Sequence, residues 1–256
     1  MMNVRRCLNL VAGIVTLILT IQPTFATAAE ITVLCSNGFK AVMQELGPPF
    51  EQATGHKIQI TYGVSTELKR RIEGGEAFDV AILNSAMIGD LIKQSKIARD
   101  SQEVVARSGM GLAIKKGAAQ PSVQTTDALE RTLKSSRSIA FAKEGAGGLF
   151  FMELIQRLGI AEDMKPKLKP TATGDEASQA VARGDAELGV LPVSEILPVP
   201  GVDLLGAFRE DVQSYLVIVA GVSSTVAAKG EAAKELIKHL TAPAALPVIK
   251  KKGMER

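Results

Sequence analysis

The chain has 256 residues, 30 Lys and Arg against 27 Asp and Glu, and a formal charge of +3, too small for a nucleic-acid footprint. Apolar residues make up 46% and charged residues 22%, the ordinary globular mix, so extended disorder is excluded over most of the length. With 8 Phe, 2 Tyr and no Trp there is no stock of rings for a sugar- or base-stacking platform, and 2 Cys with 2 His leave almost nothing for a metal site.

Residues 1–28 read as a secretory signal. Arg5 and Arg6 precede an apolar run from Leu8 to Ile21, shorter than the roughly 20 residues that span a bilayer. Pro23 then breaks the run, and Ala26 and Ala28 supply small residues for cleavage. Cys7 leaves with the signal, so Cys35 is alone and no intrachain disulfide forms. At the end of an apolar strand, Cys35 reads as core.

The body alternates β-rich runs with amphipathic stretches. Ile31–Cys35 is a strand, Phe39–Ala53 a helix that Gly47-Pro48-Pro49 should kink or restart, and Lys57–Tyr62 the next strand. A helix capped at Ser65 ends at Gly74-Gly75. Phe78–Leu83 is strand and Ser85–Ser95 helix. This β-α rhythm implies an α/β fold with a mostly parallel sheet flanked by helices. The pattern restarts at residue 111: Gly111–Ile114 strand, Asp127–Leu133 helix, Ser138–Ala142 strand and a glycine turn over 144–148. A helix over Leu149–Leu158 follows, with Leu149, Met152, Ile155 and Leu158 on its core face. Glu176–Arg183 is helix and Glu187–Leu191 strand; Pro192, Pro198 and Pro200 mark a rigid loop. Leu216–Ala220 is the last strand and Ala228–Leu240 a helix. The expected organisation is a first lobe over 29–110, a second over 111–215, and a return to the first over 216–256. Lys250, Lys251 and Lys252 form a basic spot, most simply a solvated helix end.

No motif for nucleophilic, metal-dependent or phosphate-loop chemistry occurs. His56 and His239 share no motif and read as ordinary surface histidines. Glu144, beside the glycine turn, is a lone carboxylate that fits a cap better than a general acid. What recurs is small hydroxyl, amide and glycine residues where strands end and helices begin: Ser36-Asn37-Gly38, Gly63 to Thr66, Gly145 to Gly148, and Thr173-Gly174. Strand carboxyl ends face the ligand crevice of an open α/β sheet. Helix starts expose unpaired N–H groups and the positive end of the dipole. Two such edges facing each other would bind an anion with no charged residue in the pocket.

In order along the chain, Ile31-Thr32-Val33, Met43 to Leu46, Phe50 and Gly55 resemble the periplasmic molybdate-binding proteins of ABC transporters. So do Ser65-Thr66 with Leu68, Arg70, Ile72-Glu73 and Gly75, then Phe78-Asp79-Val80. Gly148, Phe150, Glu153, Gln156 and Leu158-Gly159 continue the likeness, as do Ala186, Leu188 to Val190, Leu240, Pro243 and Gly253. The resemblance implies a two-lobed, hinged type II binding-protein fold, monomeric and without cofactor or metal. Such a protein closes on a small anionic solute of the molybdate or tungstate kind and delivers it to an inner-membrane ABC permease. It is not an enzyme and binds no nucleic acid.

Carried over position by position, the family's first-loop Ser falls on Gly38, with Ser36 and Asn37 just before it. The second-loop Ser matches Ser65, the backbone donors fall on Gly147 and Gly174, and the family's Tyr falls on Pro192, which has neither hydroxyl nor N–H. A hydrogen bond to a charged group is worth about 1.5–3 kcal/mol, so two lost donors weaken an oxyanion by roughly a hundredfold or more. A small organic anion or other polar metabolite is the alternative ligand, for which Pro192 and Gly38 make room. A receptor without a permease is a second alternative. A secreted enzyme that uses Glu144 is the third.

Overall fold

A computed structural model describes residues 28–226 and 230–256; the signal-peptide reading and the first residues of the 228–240 helix lie outside them. In chain order the elements are β1 (Glu30–Ser36), α1 (Lys40–Thr54), β2 (Lys57–Gly63), α2 (Ser65–Glu73), β3 (Val80–Asn84), α3 (Ser85–Lys93) and β4 (Glu103–Lys115). There follow α4 (Thr126–Ser135), β5 (Ile139–Ala142), α5 (Ala146–Arg157), α6 (Ala161–Met164), β6 (Leu168–Thr171), α7 (Gly174–Arg183), β7 (Leu188–Pro192), α8 (Val193–Ile196) and β8 (Val202–Ala207). β9 (Tyr215–Val222), α9 (Gly230–Thr241) and α10 (Leu246–Lys251) close the chain.

The strands run β2-β1-β3-β9-β4-β7-β5-β6, with β8 also on β4. Each end of this order is parallel, β1 with β2 and β3, and β5 with β6 and β7. The centre is antiparallel, because β9 returns between β3 and β4. β4 joins the two lobes: Glu103 to Gly109 pair with β9, and Met110 to Lys115 pair with β7 and β8. Helices cover both faces. Leu68 and Ile72 of α2 and Ile88 and Leu91 of α3 pack on one side of the first lobe. Ala177 and Val181 of α7 and Ile196 of α8 do the same for the second. This is the two-lobed α/β architecture, with loops at the carboxyl ends of β1, β2, β5 and β6 turned toward the space between lobes.

The structure corrects several details. α1 is continuous through Pro48 and Pro49: only the carbonyls of Gln44 and Glu45 lose their partners, and Val42, Met43, Leu46 and Phe50 hold its buried face. α5 begins at Ala146, so Gly147 and Gly148 lie inside it, and its core face is Phe151, Leu154 and Ile155, leaving Leu149 and Met152 exposed. β4 starts eight residues before the expected strand, and β6 and β8 were not foreseen. His56 is buried: its Nδ1 accepts the Ala29 N–H at 3.0 Å, and its Nε2 lies 3.3 Å from the Glu235 carboxylate. His239 is half-buried, with Nε2 3.1 Å from the Leu46 carbonyl and its ring against Phe50. Lys251 and Lys252 are bound to Glu45 at 3.1 and 2.8 Å, which ties α10 to α1. Cys35 is buried as expected, and burial pushes its thiol pKa up.

Glycine at 148 is a packing requirement, since a Cβ there would overlap the Ala142 carbonyl at the end of β5. Gly148→Ala is expected to cost about 1–3 kcal/mol, read as a drop of several degrees in the melting midpoint. Gly89→Ala, in α3 where a Cβ meets nothing within 4 Å, is expected to be neutral or stabilising by up to about 1 kcal/mol.

Candidate functional site

Four of the six predicted site residues meet in one place. Ser36 and Asn37 at the end of β1, Ser65 at the start of α2 and Gly174 at the start of α7 line a narrow chamber of about 20 Å³ between the lobes. Ala146, the first residue of α5, and Gly145 before it complete the opposite wall with Ala142 and Glu144. The local reason is shared by all these positions. Each strand ends, the chain turns once, and a helix begins, so the first N–H groups of α2, α5 and α7 have no partner inside their helices.

The donors differ in detail. Ser65 is buried; its Oγ accepts the Asn84 N–H at 3.2 Å, which leaves the hydroxyl proton for a ligand. Ser36 caps a short 3-10 turn, Asn37–Phe39, without a side-chain cap bond, so its hydroxyl is uncommitted. Asn84, which sequence reasoning passed over, also lines the chamber while its side chain caps α3 by accepting from Met87 N–H at 3.0 Å. Gly38 and Gly147 do not line the chamber. A Cβ at Gly38 would come within 2.5 Å of Leu216 Cδ2, and one at Gly147 within 2.8 Å of the Val190 carbonyl and 3.3 Å of Pro192 Cδ. These glycines let the 3-10 turn and α5 press against their neighbours, and what Gly147 offers is its N–H, second in α5. Pro192 is buried at the end of β7 and adds no donor.

None of the residues that line the chamber is cationic; two are acids. Glu144 reaches across its mouth: its Oε2 is 3.0 Å from Arg70 Nη1 on α2, and its carbonyl accepts from Thr66 Oγ1 at 3.3 Å. These bonds join the two lobes, so the carboxylate foreseen as a cap or a general acid is a bridge instead. Arg70 and Lys143 face an adjoining opening together with Thr171.

The second acid, Glu195, was not foreseen. It sits on α8, inside the proline-bounded loop, where the Ser178 hydroxyl donates to its carbonyl at 2.8 Å and the neighbouring Ser194 N–H donates to Ser108 Oγ at 3.0 Å. Its side chain runs into the chamber between Gly38 and Gly174. Oε1 lies 3.5 Å from where a Cβ of Gly38 would be, and a Cβ at 174 would overlap the carboxyl group itself. No hydrogen bond holds the Glu195 carboxyl group among the described residues. Removal from water, with Asp175 adding a like charge, pushes its pKa up to about 7. Glu195 and Asn37 also line a groove of about 210 Å³ on the far side, with Lys40, Asp175, Gln179 and Ser194. Ser194 Oγ is the one buried side-chain oxygen without a partner among the described residues. No group of three or more metal-binding side chains occurs among the described residues, and no described helix is long and apolar enough to cross a membrane.

Comparison with known proteins places the fold and the family. An aconitate isomerase of a Pseudomonas species is 26% identical over 246 residues, covering 93% of both chains. A molybdate-binding protein of Azotobacter vinelandii is 29% identical over 244 residues, covering 89% of this chain and 90% of its own. The solved periplasmic molybdate-binding protein of Azotobacter vinelandii superposes with a TM-score of 0.75 at 19% identity, over 88% of this chain and 99% of that one, and so shares the fold. The family model for bacterial extracellular solute-binding proteins matches residues 31–255. With that match over nearly the whole described chain, the protein belongs to the bacterial extracellular solute-binding proteins.

Proposed function

We propose that the protein is the periplasmic solute-binding component of an ABC importer and that its interlobe chamber holds a small anion through neutral donors. The observation that carries the anion class is the convergence of three helix starts and the hydroxyls of Ser36 and Ser65 on one chamber with no cationic lining. Hinge motion about β4 and β9 opens the chamber, and closure replaces the anion's water with protein donors. The Arg70–Glu144 pair and the Thr66 bond then link the lobes. On this reading the protein acts as a monomer and delivers its solute to a membrane permease.

Within the anion class, a small organic acid fits better than a bare tetrahedral oxyanion. What supports this choice is that one relative similar over 93% of both chains is named an aconitate isomerase. A second reading is that the cleft also moves a proton on the acid it binds. Glu195 supplies a group poised near neutrality, and one relative is named an aconitate isomerase. Exchange of carbon-bound protons of added aconitate in D2O, lost in Glu195→Gln, tests that reading.

Isothermal titration with molybdate, tungstate, sulfate, citrate and trans-aconitate tests the binding function. Saturable heat with at least one is expected, with an organic acid the tightest; no heat with any of the five contradicts it. Ser65→Ala is expected to weaken the best anion by roughly tenfold or more, the loss of a hydrogen bond to a charged group. Arg70→Ala, which breaks only an exposed pair, is expected to weaken it by no more than about fivefold.

A further inference from the structure

Glu195 presents a problem for any anion that enters. An ionised carboxylate is an acceptor only, and so is a fully ionised ligand. Placed side by side against the start of α7 they repel, in a chamber where no cation intervenes. The charged groups around Glu195 do not relieve this. Asp175, in the first turn of α7, adds a like charge. Glu144 faces it across the chamber and is already bound to Arg70. Lys40, from the start of α1, lines the groove behind with no bond to Glu195. β9 contributes only Leu216.

We infer that Glu195 makes anion binding proton-linked: a fully ionised anion is held only together with one proton, shared between the Glu195 carboxyl and the ligand oxygen. The inference rests on the small-anion reading of this same chamber. The geometry that carries it is the unpartnered carboxyl wedged between Gly38 and Gly174, on the ligand side of the α7 start. The proton balance is simple. Below about pH 7 Glu195 already holds the proton and donates it as a hydrogen bond. Above that, binding takes one proton from solvent, and release returns it. An anion that brings its own hydroxyl escapes the requirement, because its O–H donates to the ionised carboxylate. Glu195 is therefore a specificity-determining residue: near neutral pH it selects hydroxyl-bearing or protonated anions over bare dianions. It also couples solute capture to the acidity of the compartment.

The test uses molybdate and trans-aconitate, neither of which titrates between pH 6 and 9, against the full-length mature protein. Titration calorimetry in buffers of different ionisation heat reads the protons taken up. For the wild type, uptake of close to one proton per anion at pH 8.5 is expected, falling to about a tenth of a proton at pH 6. Affinity is expected to fall roughly tenfold per pH unit above about pH 7. Glu195→Gln, which keeps a neutral N–H donor in place, is expected to bind with no uptake and a flat profile, and to exceed the wild type at pH 8.5. Asp175→Asn, an exposed change that removes the neighbouring like charge, is expected to move the wild-type midpoint to lower pH.

A ligand-free arm checks the group itself. The folded-state pKa lies above the unfolded value near 4.5, so the folded protein keeps a proton that the unfolded chain releases. Stability from this source is full below pH 4.5 and is lost as pH rises through about 7. The melting midpoint of the wild type is thus expected to fall relative to Glu195→Gln between pH 5 and pH 8. Binding of either anion with no proton uptake, or an equal pH slope in Glu195→Gln, overturns the inference alone. Failure of both anions to bind at any pH while another of the five anions binds also overturns the inference alone; failure of all five at any pH overturns it together with the small-anion reading.

Discussion

Holding an anion without a cation is a problem of supply: every lost water must be replaced by an N–H or O–H already pointed at the site. In the function proposed for this protein the supply comes from helix starts, because the first N–H groups of a helix are unpaired and lie at the positive end of its dipole. The fold brings several of them together. Parallel strands at each end of the sheet order send their following helices back the same way, so α2 from one lobe and α5 and α7 from the other begin at a common chamber. Remove that convergence and what remains is a set of capped helices with no shared purpose.

The same constraint explains why the departures from the molybdate-binding pattern are informative rather than merely subtractive. On the resemblance, Gly38 and Pro192 stand where the family has donors; beside Gly38 lie Leu216 and the carboxyl group of Glu195. The acid turns a passive receptacle into one whose charge state matters. α8 is short, but it is pinned by Ser178 and Ser108, so its carboxyl is placed by the second lobe and not left to wander. The continuity of β4 through both sheets gives the lobes a common spine, while the Arg70–Glu144 pair at the mouth is exposed and weak enough to open.

The legible part of this molecule was the part governed by local rules. Strand runs such as Ile31–Cys35 and turn residues such as Ser36, Ser65 and Gly174 announce themselves, because apolar alternation and capping chemistry are written in adjacent residues. Long-range effects were less legible. The first half of β4 carries Glu103, Arg107 and Ser108 among its apolar residues, and only pairing with β9 makes it strand. The α5 glycines read as a turn, yet they lie in the helix, and they are glycine because β7 and the end of β5 come too close for a side chain. His56 looks like a surface residue until α9 covers it and offers Glu235. Glu195 carried no motif: a carboxylate in a proline-rich loop is ordinary in sequence, and only the packing of α8 against α7 turns it inward. Its one hint was its place three residues after Pro192, onto which the resemblance carries the family's Tyr.

The account therefore turns on the charge carried by one carboxyl group when the chamber is filled. The most direct measurement is the chemical shift of the Glu195 carboxyl carbon at pH 8, assigned by its absence in Glu195→Gln, before and after saturation with molybdate, which carries no hydroxyl at that pH. A move on binding from the ionised to the protonated range is the predicted result. A shift that stays at the ionised value in the saturated protein would contradict it.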